Sequence, residues 1–294
     1  MNYVEAVHYL YSLGNEVKTA KLGLERITAL LNGLGNPHRV GRFVHIAGTN
    51  GKGSTCAMIE SGLRAVGVRT GLYTSPHLVE PTERIQIAGR PVTPEQFATA
   101  FAEVHETAES MLRAGRLDLH PTYFETVTAM AFLLFREENA EIVVLETGLG
   151  GRLDATNVVV PELCAITPID LDHQEFLGDT LEQIAGEKAG ILKPRVPVVM
   201  ARQHAEADRV LLNRAAELES PVIAARDWPV TQLELDARGG RFVARDLAIE
   251  CPFAGEHQVD NALTAALVLR QLGFGINGIA QARWPGRLER RTKR

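Results

Sequence analysis

The sequence has little cysteine, few aromatic residues and no excess of positive charge. Its three cysteines, Cys56, Cys164 and Cys251, are widely spaced, and no two of them form a C-x-x-C pair. This spacing excludes a disulfide framework and a cysteine zinc site and is typical of a reducing compartment, so we expect a cytoplasmic protein. The net charge of −5 argues against a general nucleic-acid binder or a membrane-surface binder.

Long apolar runs are also lacking. No stretch approaches the roughly 18 apolar residues of a membrane-spanning helix, and residues 1–14 lack the apolar core of a signal peptide. Hydrophobic residues nevertheless make up 45% of the chain, which is enough for a globular core. The only basic concentration is the tail RLERRTKR at 287–294, which we interpret as a short solvated segment.

Short apolar runs alternate with helical patterns along most of the chain. The predicted strands are RFVHIAG, VRTGLYTS, AEIVVLET, LCAITPI, VPVVMA and SPVIAA, and the predicted later helices lie at about 54–66, 94–113, 123–138, 180–193, 205–219 and 257–272. The alternation predicts an α/β fold with a mainly parallel sheet flanked by helices. Shorter alternating pieces around Gly239-Gly240 predict a small β-rich piece near 228–251, which we interpret as a hairpin.

Residue types that bind phosphate or metal follow four of these strands. They are the glycine loop after FVHIA, Ser75-Pro76-His77 after TGLYT, Glu146 with TGLGGRLDATN after IVVL, and Asp170, Asp172 and His173 after CAITPI. Ligands of open α/β sheets bind beyond the carboxyl ends of the strands. The coincidence at four strand ends therefore predicts a functional site at this edge.

The glycine loop GTNGKGST combines small residues with one lysine, Lys52, and two hydroxyls, Ser54 and Thr55. Backbone N–H groups of such a loop cradle phosphate when it joins a strand to a helix. The loop departs from G-x-x-x-x-G-K-[ST], because Ile46 replaces the first glycine and Gly53 follows the lysine. A plain glycine-rich turn is the alternative, but it does not explain the lysine and the hydroxyls.

A lysine occupies an apolar position of the helix predicted at 180–193. Leu181, Ile184 and Ile191 define the apolar stripe, and its period predicts a further apolar residue at position 188, which is Lys188. A buried ammonium must be paired, neutralised or modified. Two interpretations remain open: a lysine whose stem covers apolar surface, or a neutral amine that reacts with carbon dioxide to give a carbamate.

Three further polar residues have both a functional and a structural interpretation. Glu146, at a strand end, suits Mg²⁺ or forms a salt bridge or cap. His173 is a metal ligand, an acid–base group or a structural histidine. Asp154 lies in the glycine-rich loop GLGGRLDATN, where it either contacts a ligand or acts as a turn residue.

The sequence resembles the folylpolyglutamate synthase/dihydrofolate synthase family of the Mur ligase superfamily. The matching stretches are HIAGTNGKGST, GLYTSPHLVEPTERI, TYFETVTAMAF, ETGLGGRLDATN, DLDHQEFLGDTLEQIAGEKAGILK, GEHQVDNALTA and WPGRLE. They occur in the family's order and reach about residue 289. GTNGK marks the superfamily, whereas TSPHL and GLGGRLDATN indicate the folate branch.

The resemblance implies an ATP-dependent amide ligase of folate biosynthesis that uses ATP and Mg²⁺. ATP phosphorylates a carboxylate of dihydropteroate or of a reduced folate such as tetrahydrofolate. The amino group of L-glutamate then attacks the acyl phosphate. The resemblance also implies a cytoplasmic monomer without nucleic-acid or membrane partners.

The resemblance assigns roles to particular residues. The phosphate loop comprises Gly48, Thr49, Asn50, Gly51, Lys52, Gly53 and Ser54, and the adenine side comprises Asn261 and Arg287. The pterin contacts are Ala20, Lys21, Leu22, Thr122, Tyr123, Phe124, Glu125, Leu153, Asp154 and Ala155. The magnesium ligands are Ser75, Glu146 and His173. Lys188 is the carbamylated lysine, and Lys52, His173 and Lys188 are catalytic.

Residues 1–288 are expected to form the ATP-binding, Mur-ligase-type catalytic domain with a P-loop. Residues 289–294 are expected to start a linker to a C-terminal domain that this sequence lacks. Two alternatives to the ligase remain: a truncated relative that binds nucleotide or folate without turnover, and another Mur-type amide ligase.

Overall fold

The computed structural model describes residues 1–14 and 23–286. The α-helices in this part are α1 Tyr3–Ser12, α2 Glu25–Gly33, α3 Lys52–Ala65, α4 Pro94–Arg113, α5 Tyr123–Glu137, α6 Gln174–Leu177, α7 Leu181–Ala189, α8 Ala205–Glu217 and α9 His257–Gln271. The strands are β1 Arg42–Ala47, β2 Thr70–Tyr73, β3 Ile85–Ile87, β4 Arg90–Pro91, β5 Ile142–Glu146, β6 Leu163–Ile166, β7 Val198–Met200, β8 Val222–Ala224, β9 Val230–Asp236, β10 Gly239–Ala244 and β11 Leu247–Cys251.

Eight strands form one sheet in the order β4-β3-β2-β5-β1-β6-β7-β8. The six strands from β2 to β8 in that order pair in parallel, and β3 and β4 add an antiparallel edge. The predicted α/β class and mainly parallel sheet are therefore confirmed. The small β-rich piece is also present, as a separate antiparallel sheet in the order β11-β10-β9.

Successive side chains of β1 alternate between two apolar layers, as a buried parallel strand requires. Val44 and Ile46 pack with α3, α9 and the small sheet. On the opposite face, Phe43 packs with α4 and α5, whereas Ala47 belongs to a third cluster with α7 and α8. Between Phe43 and Ala47 the same face carries a polar residue, His45, which is fully buried.

The predicted helices are present with boundary shifts of a few residues. The helix predicted at 54–66 is α3, which begins at Lys52 because Gly51 supplies the left-handed conformation at its N-cap. The segment predicted at 180–193 ends its helix at Ala189. Thr180 caps α7 through a capping box, and Ile191 stays fully buried beyond the helix end.

The predicted single hairpin with a Gly239-Gly240 turn is wrong in its detail. The two glycines open β10, and the turn before them falls on residues 237–238. Asp236 makes this turn, because its carboxylate accepts the N–H groups of Arg238 and Gly239 at 2.6 and 3.1 Å. A second turn leads to β11, so the piece has three strands.

None of the helices within 1–14 and 23–286 is both long enough and apolar enough to cross a bilayer.

We expect Gly278→Ala to destabilise the fold by about 1–3 kcal/mol through overpacking. A Cβ atom at Gly278 would lie 2.7 Å from the carbonyl oxygen of Ser61 and 2.8 Å from Cα of Gly62, both in the backbone of α3. Urea unfolding measures the effect. Gly275→Ala is the matched control, because no atom lies within 4 Å of that added Cβ. Equal stability of the two variants would contradict the close packing.

Candidate active site

The register of the central strands brings three predicted site segments together. Ile46 of β1 pairs with Glu146 of β5 on one side and with Ala165 of β6 on the other. The loop after β1 therefore starts beside the end of β5 and beside Thr167, which follows β6. Parallel pairing places these carboxyl ends at one edge of the sheet, as the sequence predicts.

The glycine loop joins β1 to the N-terminus of α3. Gly51 is the N-cap of α3 and has a left-handed φ of 83°. The first intrahelical bond runs from the Thr55 N–H to the Gly51 carbonyl at 2.9 Å. The backbone N–H groups at a helix start lack intrahelical acceptors and favour an anion. Earlier in the loop, the N–H groups of Thr49 and Asn50 both donate to the Pro168 carbonyl at 3.0 Å.

Two lysine side chains converge on one carbonyl oxygen of this loop. Lys52 Nζ donates to the carbonyl oxygens of Gly48 and Thr49 at 3.0 and 3.3 Å. Lys188 Nζ, from α7, donates to the same Gly48 oxygen at 2.8 Å. The structure thus brings the two lysines that the sequence singled out to the same glycine loop.

Lys188 occupies the buried stripe of α7, as its position in the sequence predicts. The residue is only 4% exposed, so the interpretation of a stem that carries its amine to solvent is wrong. Burial and, to a smaller extent, the charge of the neighbouring Lys52 lower the pKa of Lys188 to about 7, against the opposing charges of Asp172 and Asp154. A large fraction of the amine is therefore neutral near pH 7.

Glu146 and Ser75 lie together at the ends of β5 and β2. The Glu146 carboxylate is buried, and its Oε2 accepts the backbone N–H of Ser75 at 3.1 Å. A buried carboxylate beside a serine offers the hard oxygen donors that Mg²⁺ prefers. Two of the three predicted metal ligands are thus neighbours.

His173 is an exposed residue at the start of α6. Its backbone is left-handed, with a φ of 48°, and its Nε2 lies 3.5 Å from Oδ2 of Asp172. Within 1–14 and 23–286, no three or more His, Cys, Asp and Glu side chains are grouped so as to hold a metal ion. The structure therefore does not assemble His173 into such a group, and its metal role stays a prediction.

The residues predicted on the pterin side begin α5. Thr122 and Glu125 form a capping box, in which Glu125 Oε2 accepts the Thr122 N–H at 2.7 Å. The same oxygen accepts Nε of Arg26 at 2.7 Å, which links α5 to α2. These two side chains hold the helix start in place.

The neighbouring aromatic residues differ in exposure. Tyr123 is buried, stacks on Tyr11 at a centroid distance of 5.9 Å, and has the Arg84 guanidinium 5.2 Å from its ring centroid. Phe124 is half-buried, and a Cβ atom added to Gly148 would come within 2.5 Å of its ring. Phe124 is therefore the aromatic residue of this pair that retains exposed surface beside the glycine-rich loop.

The loop that contains Leu153, Asp154 and Ala155 is organised by the Asp154 carboxylate. Oδ2 accepts the N–H groups of Gly148 and Leu149, each at 2.9 Å. Oδ1 accepts the N–H and the hydroxyl of Thr156 at 3.0 and 2.5 Å. Burial raises the pKa of Asp154, and these hydrogen bonds oppose that rise. Leu153 is half-buried and Ala155 buried.

Of the remaining predicted site residues, Asn261 lies in the described part of the structure and the others do not. Asn261 is buried on α9, against the phosphate loop, where a Cβ atom at Gly51 would lie 2.0 Å from its Oδ1. The predicted contacts Ala20, Lys21, Leu22 and Arg287 lie outside the described residues.

Sequence reasoning missed two residues that support the loop. Gln258 Nε2 donates to Ser54 Oγ at 3.4 Å, while its Oε1 accepts Nδ2 of Asn261 at 3.0 Å. Trp284 packs on the start of α3, where a Cβ atom at Gly53 would lie 3.0 Å from the indole Nε1. Both lie in stretches that carry the resemblance, GEHQVDNALTA and WPGRLE.

The fold and the loop define the class of protein. Residues 46–269 match the family model of the Mur ligase middle domain. This class comprises ATP-dependent amide ligases. The match begins at the end of β1 and covers the glycine loop, the other strands and α9 as far as Leu269.

Comparison with individual proteins identifies the branch. The chain is 36% identical to a folylpolyglutamate synthase of Lacticaseibacillus casei, over 99% of this chain and 71% of that protein. It is 38% identical to a dihydrofolate synthase/folylpolyglutamate synthase of Bacillus subtilis, over 92% of this chain and 66% of that protein. A solved folylpolyglutamate synthase complex with AMPPCP and folate matches with a TM-score of 0.91 and 36% identity, over 98% of this chain and 74% of that one. The chain belongs to the folylpolyglutamate synthase/dihydrofolate synthase family.

We expect Gly51→Ala to weaken nucleotide binding at least tenfold. The added Cβ would lie 2.0 Å from Asn261 Oδ1, and the position has a left-handed φ of 83°, so the loop and α9 must separate. Titration calorimetry with AMPPCP measures the change. Gly67→Ala is the control, since it has a φ of 88° but no atom within 4 Å of the added Cβ. Unchanged affinity in Gly51→Ala would show that the loop tolerates a side chain here.

Proposed function

We propose that this chain provides the ATP- and pterin-binding catalytic part of a dihydrofolate synthase/folylpolyglutamate synthase. The reaction adds L-glutamate to dihydropteroate or to a reduced folate. The γ-phosphoryl group of ATP is transferred to a substrate carboxylate, which becomes an acyl phosphate. The glutamate nitrogen then attacks the acyl carbon, and phosphate leaves as the amide forms.

The observation that carries this proposal is the convergence of Lys52 and Lys188 on the Gly48 carbonyl, beside the buried Glu146. A glycine-rich turn without a ligand needs neither lysine. Phosphates bound at the start of α3 offer Lys52 a stronger partner than a backbone carbonyl, because the pairing is between opposite charges. Lys52 is therefore assigned to the ATP phosphates.

Magnesium is assigned to Ser75 and Glu146, with His173 as a third ligand. The donor chemistry of Ser75 and Glu146 fits a hard cation, and the two residues are neighbours. Mg²⁺ at this place would offset the negative charge of the phosphates during transfer. His173 is included as the third ligand on the resemblance alone; its exposed imidazole lies 3.5 Å from the Asp172 carboxylate.

Residues 1–288 are proposed as one ATP-binding catalytic unit, followed by the start of a linker at 289–294. The three apolar clusters pack on the two faces of one sheet, which supports treating the described residues as one unit. The acceptor remains one of two pteroyl substrates, dihydropteroate or a reduced folate, and the family expectation of a monomer is retained.

A second candidate is binding of nucleotide or folate without turnover. The observation in its favour is that the chain spans 71% and 66% of the lengths of the two relatives compared above. The presence of all the predicted residues of the reaction favours the ligase; they are Lys52, Ser75, Glu146, His173 and Lys188.

Release of ADP by the 294-residue chain tests the choice. The assay contains ATP, Mg²⁺, bicarbonate and L-glutamate, with and without dihydropteroate or tetrahydrofolate. Pterin-dependent ADP release with formation of the glutamylated product is expected of the ligase. Saturable AMPPCP binding that Lys52→Ala abolishes, without ADP release, would establish the binding-only candidate. ADP release only when a peptidoglycan precursor replaces the pterin would indicate another Mur-type ligase.

We expect Lys188 to form a carbamate with carbon dioxide. Only the neutral amine reacts, and a pKa near 7 leaves most of it protonated at pH 6 and neutral at pH 8. The neutral amine and bicarbonate combine to give the carbamate and water. At a fixed concentration of ¹³C-labelled bicarbonate, the NMR carbamate signal should therefore rise about tenfold or less between these pH values. Lys188→Ala should lack the signal and lose any turnover, with partial rescue by a small added carboxylate.

Lys193→Ala is the matched control, because this lysine is also partly buried but donates to Asn157 rather than to the loop. The control should retain the signal. Normal turnover by Lys188→Ala in an active preparation would refute the carbamate role.

A further inference from the structure

A chain of buried hydrogen bonds connects β1 to the glycine-rich loop. Nε2 of His45 lies 2.8 Å from Oγ1 of Thr156, and that hydroxyl donates to Asp154 at 2.5 Å. All three residues are at most 3% exposed. The Asp154 carboxylate accepts four hydrogen bonds in total, and all of them come from residues 148–156.

His45 occupies a place where an apolar side chain would be expected. Its neighbours on the same face of β1, Phe43 and Ala47, belong to two different apolar clusters, one under α5 and one under α7 and α8. The loop enters the sheet face between these clusters. A polar side chain buried there must find a partner, and the Thr156 hydroxyl is that partner.

The chemistry of the three side chains determines which of them donates and which accepts in each hydrogen bond. An ionised Asp154 only accepts, so the Thr156 hydroxyl donates to it and has a lone pair left to accept Nε2–H of His45. Burial lowers the pKa of His45 to about 3, and the charge of Lys193 acts in the same direction. The imidazole is therefore neutral, and its Nδ1 is a buried atom without a hydrogen-bond partner in the described structure.

The far side of the loop is attached to α7. The Arg152 N–H donates to the Glu187 carbonyl at 2.8 Å. Asn157 Nδ2 donates to the carbonyls of Arg152 and Gly190 at 2.9 and 3.1 Å. Since α7 carries Lys188 and β1 leads into the phosphate loop, the segment 148–157 is held between two elements of the active site.

We propose that His45 and Thr156 are positioning residues for the pteroyl substrate, and that Asp154 anchors the loop rather than contacting the substrate through its carboxylate. They hold residues 148–155 in the shape that presents Leu153, Ala155 and the loop backbone to the ligand beside Phe124. The identity of the ligand rests on the proposed function. The nucleotide half of the site is supported by Gln258 and Asn261 and does not depend on the His45–Thr156–Asp154 hydrogen bonds.

Thr156→Val tests the proposal because valine keeps the shape of threonine but removes the hydroxyl. In the 294-residue chain, hydrogen exchange of the Gly148 and Leu149 amides should accelerate at least tenfold. The Kd for dihydropteroate should rise at least tenfold, while the Kd for AMPPCP changes less than twofold. Thr156→Ser restores the hydroxyl and should return both exchange and affinity to within threefold of the unchanged chain.

A second pair of variants covers the case in which Thr156→Val fails to fold. His45→Gln keeps an N–H donor near the position of Nε2, and His45→Leu removes it. The proposal requires the leucine variant to lose dihydropteroate affinity relative to the glutamine variant, with equal AMPPCP affinity. Equal exchange and equal dihydropteroate affinity across the folded variants would overturn it.

The exchange measurement separates this proposal from the proposed function. If the unchanged chain binds no pterin, the proposed function fails, and faster exchange only in the variants lacking a donor still establishes the positioning of the loop. A uniform loss of both ligands, with exchange accelerated throughout the chain, would instead indicate a general structural role and refute the proposal.

Discussion

The site depends on one carbonyl oxygen, that of Gly48, which accepts hydrogen bonds from both Lys52 and Lys188. Two ammonium groups so close to each other repel, and one of them is buried. The lowered pKa of Lys188 relieves this conflict, because a neutral amine still donates a hydrogen bond without adding a second charge. The Gly48 carbonyl thus accepts one hydrogen bond from Lys52 and one from an amine whose lowered pKa makes its charge adjustable near pH 7.

This arrangement is built from the backbone of the sheet. Strands β5, β1 and β6 pair in a register that aligns Glu146, the Gly48 loop and Thr167 at one edge. Helix α9 closes the loop from the opposite side of the sheet from α7, through Asn261 and Gln258. The two helices approach the loop from different apolar layers, so the packing of both layers determines the position of each lysine and amide.

Buried carboxylates also order the loop and the helix start that the resemblance assigns to the pterin. Asp154 is costly to bury, and its four hydrogen bonds offset that cost by ordering the loop around it. Glu125 acts similarly at the start of α5, where it joins the capping box to Arg26. In both cases a carboxylate that sequence reasoning assigned to the pterin has its described contacts within the protein.

The sequence by itself determined the alternation of strands and helices, the glycine loop with Lys52 and the anomaly of Lys188, because each of these is a local pattern. It also determined the family, since the motifs occur in one order along the chain. Only the tertiary structure decided that Lys188 and Lys52 meet on one oxygen, that His45 completes the Asp154 network, and that Gln258 supports Ser54. The hydrogen bonds Lys188–Gly48, His45–Thr156 and Gln258–Ser54 join residues 140, 111 and 204 positions apart. Their geometry follows from strand register and layer packing, which no short stretch of sequence encodes.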